Sequence, residues 1–507
     1  MSLIRSSLLV GLGAVASRVL GFVRDILFAQ ALGAGPVADA FLAAFRLPNL
    51  VRRIAAEGGL NPALIPALSR LEPDESARVA GDVITVFALG LIALTGLVEV
   101  AAGLIAFVLA PGLQGDEGTL ALVALYTRLS FPMVVCVTLA SVGAALLNIR
   151  GRFTATALAP LAVNLGLIAA IIALENADTL PIERKAIWLA VASSLSGFVQ
   201  LVLVAIALWR SDGRMMRFRL PHWSPTLKSL LLAGVPALVA SGAAQLFILV
   251  GTQIASFWPS GVSWLYYADR VVQLPVGLMA ALGSSVLLPE LALRHRTGEA
   301  NGIIAAQNRA LEIALLLALP ACVALGILAE PVASVLFARG AFTASDAQGT
   351  ALVLMGLSLG LPFATLGKVL SQTLFARGSL RGTLLATGIG ILVTIGAALP
   401  LGAAFDMTGI AIGISLGCLA HAAALSVLLK RFGLWAIDRA LVTKLVQIVA
   451  ATLVMSLGLV TATALIPPSG PLTLAGLCLG GLALYAAAAV LTGAVKRGDL
   501  ALLAKKP

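Results

Sequence analysis

The chain is divided, almost end to end, into apolar runs long enough to cross a bilayer. A transmembrane helix needs about 20 mostly apolar residues, because the hydrocarbon core is about 30 Å thick and a helix rises about 1.5 Å per residue. Fourteen such runs stand near positions 6–31, 36–69, 81–110, 120–148, 154–174, 186–209, 229–257, 262–292, 310–330, 348–375, 382–401, 408–429, 445–466 and 472–495. With 60% hydrophobic and only 11% charged residues, against about 25% charged in soluble domains, the chain lacks the polar surface to fold in water. Unsatisfied backbone groups are too costly in lipid to allow open sheets or exposed loops there. The expected fold is therefore all-α: a polytopic membrane protein of about 14 transmembrane helices. Arg5 and the apolar residues after it resemble the start of a signal peptide. Arg18, Arg24 and Asp25 interrupt the run, so it is read as a retained first helix.

Lys and Arg in the short connections set the orientation. With the N-terminus placed in the cytoplasm, 23 of the 34 Lys and Arg residues fall in cytoplasmic segments and 3, Arg184, Lys185 and Arg339, in periplasmic ones. A missed span would reverse every later loop and erase that asymmetry. Both termini are expected in the cytoplasm.

The longest polar connection, 211–228, carries Arg217, Phe218, Arg219 and Trp223, and reads as a cytoplasmic linker lying on the membrane surface. The segments beside it echo each other. Leu47-Pro48 and Ile65-Pro66 in span two match Leu274-Pro275 and Leu288-Pro289 in span eight; Pro132 and Pro362 interrupt spans four and ten. Two six-helix bundles in parallel repeat follow, 1–210 and 229–431, with 432–507 carrying two added helices and a tail.

The formal net charge of +11 forms no basic stripe interleaved with aromatics, so no nucleic-acid partner is expected. Cys136, Cys322, Cys418 and Cys478 lie singly in apolar runs, and His222, His295 and His421 are scattered; this pattern predicts neither disulfides nor a metal site.

The informative residues are charges inside spans, where an Arg at the helix centre costs at least ~2.5–3.5 kcal/mol. Span one holds Arg18, Arg24 and Asp25; span two holds Asp39, Arg46, Arg52, Arg53 and Glu57, followed by the breakers Gly58-Gly59 and Asn61-Pro62; span eight holds Asp269 and Arg270; span ten holds Lys368. Simpler uses exist for some of them. Arg53 and Glu57 stand i, i+4 and can pair, Arg46 and Arg128 can snorkel, and Asp269 can compensate Arg270. Arg18 and Arg24 stand roughly 120° apart on an ideal helix, and Asp25 can neutralise either. The excess of guanidinium over carboxylate points to an anionic, phosphate-bearing substrate, since Arg grips phosphate oxygens with paired hydrogen bonds.

These stretches resemble a known family. Ser17-Arg18-Val19-Leu20-Gly21-Phe22-Val23-Arg24-Asp25, Ala38-Asp39-Ala40-Phe41, Leu47-Pro48-Asn49-Leu50-Val51-Arg52-Arg53, Trp264-Leu265-Tyr266-Tyr267-Ala268-Asp269-Arg270 and Leu336-Phe337-Ala338-Arg339-Gly340-Ala341-Phe342 are similar to motifs of the MurJ (MviN) family. That family belongs to the multidrug/oligosaccharidyl-lipid/polysaccharide exporter superfamily. The resemblance implies two lobes in a pseudo-symmetric V around a central cavity, with the last two helices forming a groove for a lipid tail. It implies a flippase for lipid II, an undecaprenyl pyrophosphate bearing a disaccharide pentapeptide, in the bacterial cytoplasmic membrane. Arg18, Arg24, Arg52 and Arg270 match required family positions, and Asp39 and Lys368 match positions that matter; Asp25, Arg53 and Glu57 complete the candidate substrate site. Membrane lipids and a functional link with cell-wall synthesis enzymes are the expected partners. No cofactor is expected; a monovalent cation or the membrane potential is left as the energy source. Some members bind sodium in the second lobe, but here spans seven and eleven carry no acid and Gln273 stands where some relatives have one.

The alternative is a flippase for another polyprenyl-pyrophosphate-linked oligosaccharide, of the O-antigen type. A membrane glycosyltransferase needs a catalytic carboxylate in a sizeable extramembrane loop, and none stands out. A cation-drug antiporter needs a cavity of the opposite sign.

Overall fold

The computed structural model describes residues 3–57, 64, 68–176, 179–212, 227–228, 232, 245–277, 300–376, 379–468 and 470–495. Every regular element among them is helical. The order is α1 (Leu3–Leu32), α2 (Pro36–Glu57), α3 (Pro73–Val100), α4 (Ala102–Leu109), a 3₁₀ turn (Pro111–Gly115), α5 (Glu117–Ser130), α6 (Pro132–Ile149), α7 (Phe153–Glu175) and α8 (Ile182–Asp212). Then come α9 (Gln245–Ala255) and α10 over 261–277. The chain continues through α11 (Ala300–Ile327), α12 (Ala329–Phe337), α13 (Ala344–Ser358), α14 (Leu361–Ala376), α15 (Leu380–Arg431), α16 (Arg439–Leu465) and α17 (Pro471–Leu491).

Among the described residues, 8 helices are long and apolar enough to cross a membrane, or 9 when α13 and α14, bent by 46°, are taken as one broken span. This is a multi-pass membrane protein. Several expected spans are subdivided. The run near 120–148 breaks at Phe131, where Pro132 starts a new helix because its ring cannot sit within the preceding turn. The run near 81–110 is longer than expected, starting at Pro73, and breaks at Ala101. The breakers 58–63 and the linker 213–226 lie outside the described residues.

The 52 residues of α15 would measure about 78 Å if straight. They instead turn back at Phe405 and Asp406, where Asp406 has φ 51°. A Cβ placed on Gly409 would lie 1.9 Å from the Leu401 carbonyl oxygen, one on Gly413 2.5 Å from Ala398 backbone, and one on Gly417 1.8 Å from Thr394 Oγ1. The partners run backwards as the glycines run forwards, so the two arms are antiparallel. Spans 382–401 and 408–429 are thus a hairpin whose seam depends on small residues.

The chain forms two compact units, Met1–Ser263 with Arg339–Phe342, and Trp264–Ala338 with Thr343–Pro507. In the first, Val83 of α3, Val142 and Leu146 of α6 and Val204 of α8 are buried together. Phe28, Phe41, Phe45 and Tyr126 form an aromatic nest, with Phe28 5.3 Å from Phe41 and 5.7 Å from Phe45, both edge-on. In the second, Leu311 of α11, Leu370 of α14, Leu425 of α15 and Leu441 of α16 share a core. The last two helices are tied to this unit by polar contacts as well. Tyr485 Oη donates to the Leu316 carbonyl at 2.6 Å, and Lys444 Nζ lies 3.9 Å from Glu312 of α11 while joining α16 to the end of α17 through the carbonyls of Gly493 and Ala494 at 2.7 and 2.8 Å.

Candidate functional site

Arg24 is the most tightly framed of the candidate residues. It is 5% exposed, and Asp25 beside it 2%. Its Nε and Nη2 donate to Asp25 Oδ1 at 3.0 and 2.7 Å. Its Nη1 donates to Asn164 Oδ1 of α7 at 3.0 Å. The guanidinium carbon lies 5.6 Å from the Phe28 ring centre and 5.7 Å from that of Phe45, within reach of a cation–π attraction. Asn164 is held in turn, its Nδ2 donating to the Ser17 carbonyl at 3.0 Å. Gly21 makes room: a Cβ there would sit 3.7 Å from the Asn164 amide. The angular ambiguity in span one is resolved. Asp25 serves Arg24, which is buried, whereas Arg18 is exposed.

On α2, Asn49 donates to the Phe45 carbonyl at 3.0 Å and accepts from Nε and Nη2 of Arg52 at 3.4 Å each. Arg52 is half-buried. Arg53 and Glu57 lie on the same helix, but their side chains, and so their expected pairing, fall outside the described residues. Asp39 is 2% exposed and accepts from the backbone N–H of Ser263 at 2.8 Å and from its hydroxyl at 2.5 Å. Ser263 stands in the first turn of α10, so Asp39 supplies a carboxylate where helix N–H groups lack partners.

In the second unit, Arg270 Nη2 donates to the hydroxyl of Tyr266 at 3.0 Å, and its guanidinium lies 4.5 Å from that ring's centre. Asp269 accepts from Gln273 Nε2 at 2.5 Å. Its partner is therefore Gln273, one turn on, and not Arg270 as a simple charge balance suggests. Lys368 is exposed on α14. Trp264 Nε1 donates to Asp346 Oδ1 at 3.3 Å, while Asp346 Oδ2 accepts from Thr343 N–H at 3.0 Å and closes the capping box of α13.

In the first unit Arg24 is held by a carboxylate, an amide and two aromatic rings and Arg52 by an amide; in the second Arg270 is held by a tyrosine. The residues that hold these arginines, Asn164, Asn49 and Tyr266, and those that hold Asp39 and Asp269, Ser263 and Gln273, are not in the sequence-derived site. Asn164 alone carried a usable signal, a polar amide within the apolar run 154–174, where a buried amide needs a partner.

The family model described as lipid II flippase MurJ matches residues 28–473. The chain belongs to the MurJ family. Among its relatives, a probable lipid II flippase MurJ of Rhizobium meliloti is 34% identical over 505 residues, covering 96% of this chain and 94% of the relative. The lipid II flippase MurJ of Burkholderia cenocepacia is 30% identical over 466 residues, covering 90% and 89%. Among solved structures, a lipid II flippase MurJ in an inward closed conformation matches with a TM-score of 0.78 at 22% identity, over 96% of this chain and 98% of that one. An inward-facing multidrug resistance MATE family transporter of the MOP superfamily matches with 0.69 at 17% identity, over 82% and 94%. The MurJ fold is thus shared with a wider class of transporters, and the family places the chain in the bacterial inner membrane.

Proposed function

We propose that this chain is a lipid II flippase, a transporter that moves the undecaprenyl-pyrophosphate-linked peptidoglycan precursor from the inner to the outer leaflet by alternating access. The observation that carries this reading is the MurJ match across residues 28–473. The framed guanidinium groups support the chemistry. The diphosphate is gripped by Arg24, Arg52 and Arg270, with Arg18 nearby and Lys368 contributing further positive charge. Asp39, Arg53 and Glu57 belong to the same substrate-facing helices.

The geometry of Arg24 adds a step to that chemistry. Three of its nitrogen atoms already donate to Asp25 and Asn164. An incoming phosphate oxygen therefore replaces the Asp25 carboxylate rather than filling an empty site. The displaced Asp25 carboxylate must then find another partner, and that cost keeps the phosphate from binding too tightly to be released, as a transporter requires. The undecaprenyl tail stays in lipid along α16 and α17 while the sugar-peptide headgroup passes between states. An inside-negative membrane potential favours outward movement of an anion by about 2.3 kcal/mol per charge per 100 mV, and both termini lie in the cytoplasm.

The test is depletion of this protein alone, with labelled lipid II assayed in the outer leaflet. Loss of outer-leaflet lipid II, its accumulation inside and lysis support the reading. Continued appearance of lipid II outside, with surface polysaccharide lost instead, overturns it.

A further inference from the structure

Arg128 differs from the arginines above. It lies 11 residues into α5, about 16 Å along the helix axis. The α5–α6 run of 33 residues is about 50 Å long against a hydrocarbon core of about 30 Å. Centred in the bilayer, it leaves about 10 Å beyond each boundary, which puts Arg128 about 6 Å inside the hydrocarbon on the side of the 110–116 connection. Yet its side chain is exposed, and the helices that meet at this junction carry exposed apolar side chains: Leu97 and Val100 on either side of Glu99 on α3, Leu104 just past the break on α4 and Leu125 about one turn earlier on α5. Such a surface suits acyl chains; a hydrated cavity would carry more polar groups.

The Arg128 guanidinium is fixed in place by one bond, Nε donating to the Glu99 carbonyl at 3.1 Å. That carbonyl lies beside the break at Ala101 between α3 and α4. Among the described residues the two terminal nitrogens of Arg128 have no acceptor. The Glu99 carboxylate is half-buried at the same junction, one residue from the break at Val100–Ala101, but no ion pair closes between it and Arg128 among the described residues. A cation and an anion are thus offered side by side at the edge of the hydrocarbon, on a lipid-facing surface. Arg128 has the reach to bring its charge to the phosphate level of the leaflet.

We infer that the Arg128–Glu99 junction binds the headgroup of a zwitterionic aminophospholipid. Arg128 takes the phosphate through its terminal N–H groups, Glu99 takes the ammonium, and the acyl chains lie along Leu97, Val100, Leu104 and Leu125. The pairing selects for headgroup. A choline has no N–H to donate to Glu99, and a glycerol headgroup brings no positive charge to it. The site is separate from the transport arginines and does not rest on the substrate assigned above.

The test uses the full chain, purified and exchanged into an equimolar mixture of phosphatidylethanolamine, phosphatidylcholine and phosphatidylglycerol with identical acyl chains. Retained lipid is identified by native mass spectrometry. Wild type is expected to retain phosphatidylethanolamine over the other two by about fivefold, the scale of one partly exposed charge pair. R128Q should lose that preference, and E99Q should move it toward phosphatidylglycerol. E99Q leaves the backbone carbonyl in place, so it reads headgroup choice without disturbing the α3–α4 break. No headgroup preference in wild type, a wild-type preference for phosphatidylglycerol, or an unchanged preference in R128Q or E99Q each overturns the assignment.

Discussion

At the scale of single residues, the decisive feature is that Arg24, Asp39, Arg52, Asp269 and Arg270 are each held by a named partner. Removing one partner of a buried ion pair costs about 3–5 kcal/mol, because the remaining charge is left uncompensated. D25A should therefore lower the thermal midpoint of the purified protein by several degrees and abolish growth support in a flippase-depleted strain. N164A leaves a buried Arg24 N–H without its acceptor, at about 1–3 kcal/mol, while the Ser17 carbonyl keeps its own helical bond. N164Q, which keeps both an acceptor and a donor, should recover part of the loss. Equal stability of N164A and wild type in a melting assay would remove Asn164 from the account. A smaller effect belongs to Asp116, the N-cap of α5. The Thr119 side chain, then the Thr119 N–H, hold its carboxyl below the usual carboxylate value. A depressed carboxylate stabilises the fold above its unfolded value and loses that contribution as pH falls through the folded one. The melting difference between wild type and D116N should be full at neutral pH, begin to shrink near about 3.8 and disappear as the pH falls through the lower folded value; a difference that persists in stronger acid counts against the cap.

At the scale of elements, close packing of small residues substitutes for the hydrophobic effect, which gives no driving force between helices already in lipid. The α15 hairpin shows this most directly. Gly409, Gly413 and Gly417 face Leu401, Ala398 and Thr394 at distances that no Cβ tolerates, whereas Gly388 and Gly396 in the same element meet nothing within 4 Å. Overpacking of this kind costs about 1–3 kcal/mol. G413A should destabilise by that amount in a detergent melt, while G388A and G396A should be neutral or gain up to about 1 kcal/mol from better helix propensity. Identical midpoints for G413A and G388A would mean the seam is not where the contacts put it. The repeat spacing of glycines is visible in the sequence; which of them face the other arm is not, since that depends on where Phe405 and Asp406 turn the chain.

At the scale of the whole molecule, charge placement bears on two proposals, the topology and the sign of the cargo. An excess of basic residues, which the short loops carry on one side of the membrane, also stands inside spans one and two, where Arg18, Arg24, Arg46, Arg52 and Arg53 outnumber Asp25, Asp39 and Glu57. Single cysteines in a background without native cysteines test the orientation: an impermeant maleimide added to intact, outer-membrane-permeabilised cells should label G115C and leave R152C unlabelled. The reverse pattern inverts the topology. For transport itself, R24E, R52E and R270E should each abolish growth support while leaving expression intact. Normal growth of all three would discard the assigned substrate grip.

The all-helical membrane fold and the family were legible because both rest on patterns local in sequence. Lipid requires about 20 apolar residues in a row, and the Arg24-Asp25, Leu47-Pro48 and Tyr266-Tyr267 motifs are continuous strings. The holders of the charges were not legible. Asn164 lies 140 residues from Arg24 and Ser263 224 residues from Asp39, and no periodicity links positions on helices that meet only through packing. By itself, then, the sequence determined that this is an all-helical, multi-pass membrane protein of its family, since hydrophobicity is a property of residues and the family motifs are continuous strings. Only the tertiary structure decided which carboxylate serves which arginine and where α15 reverses, because hydrogen bonds and close contacts depend on angle and distance between elements far apart in the chain.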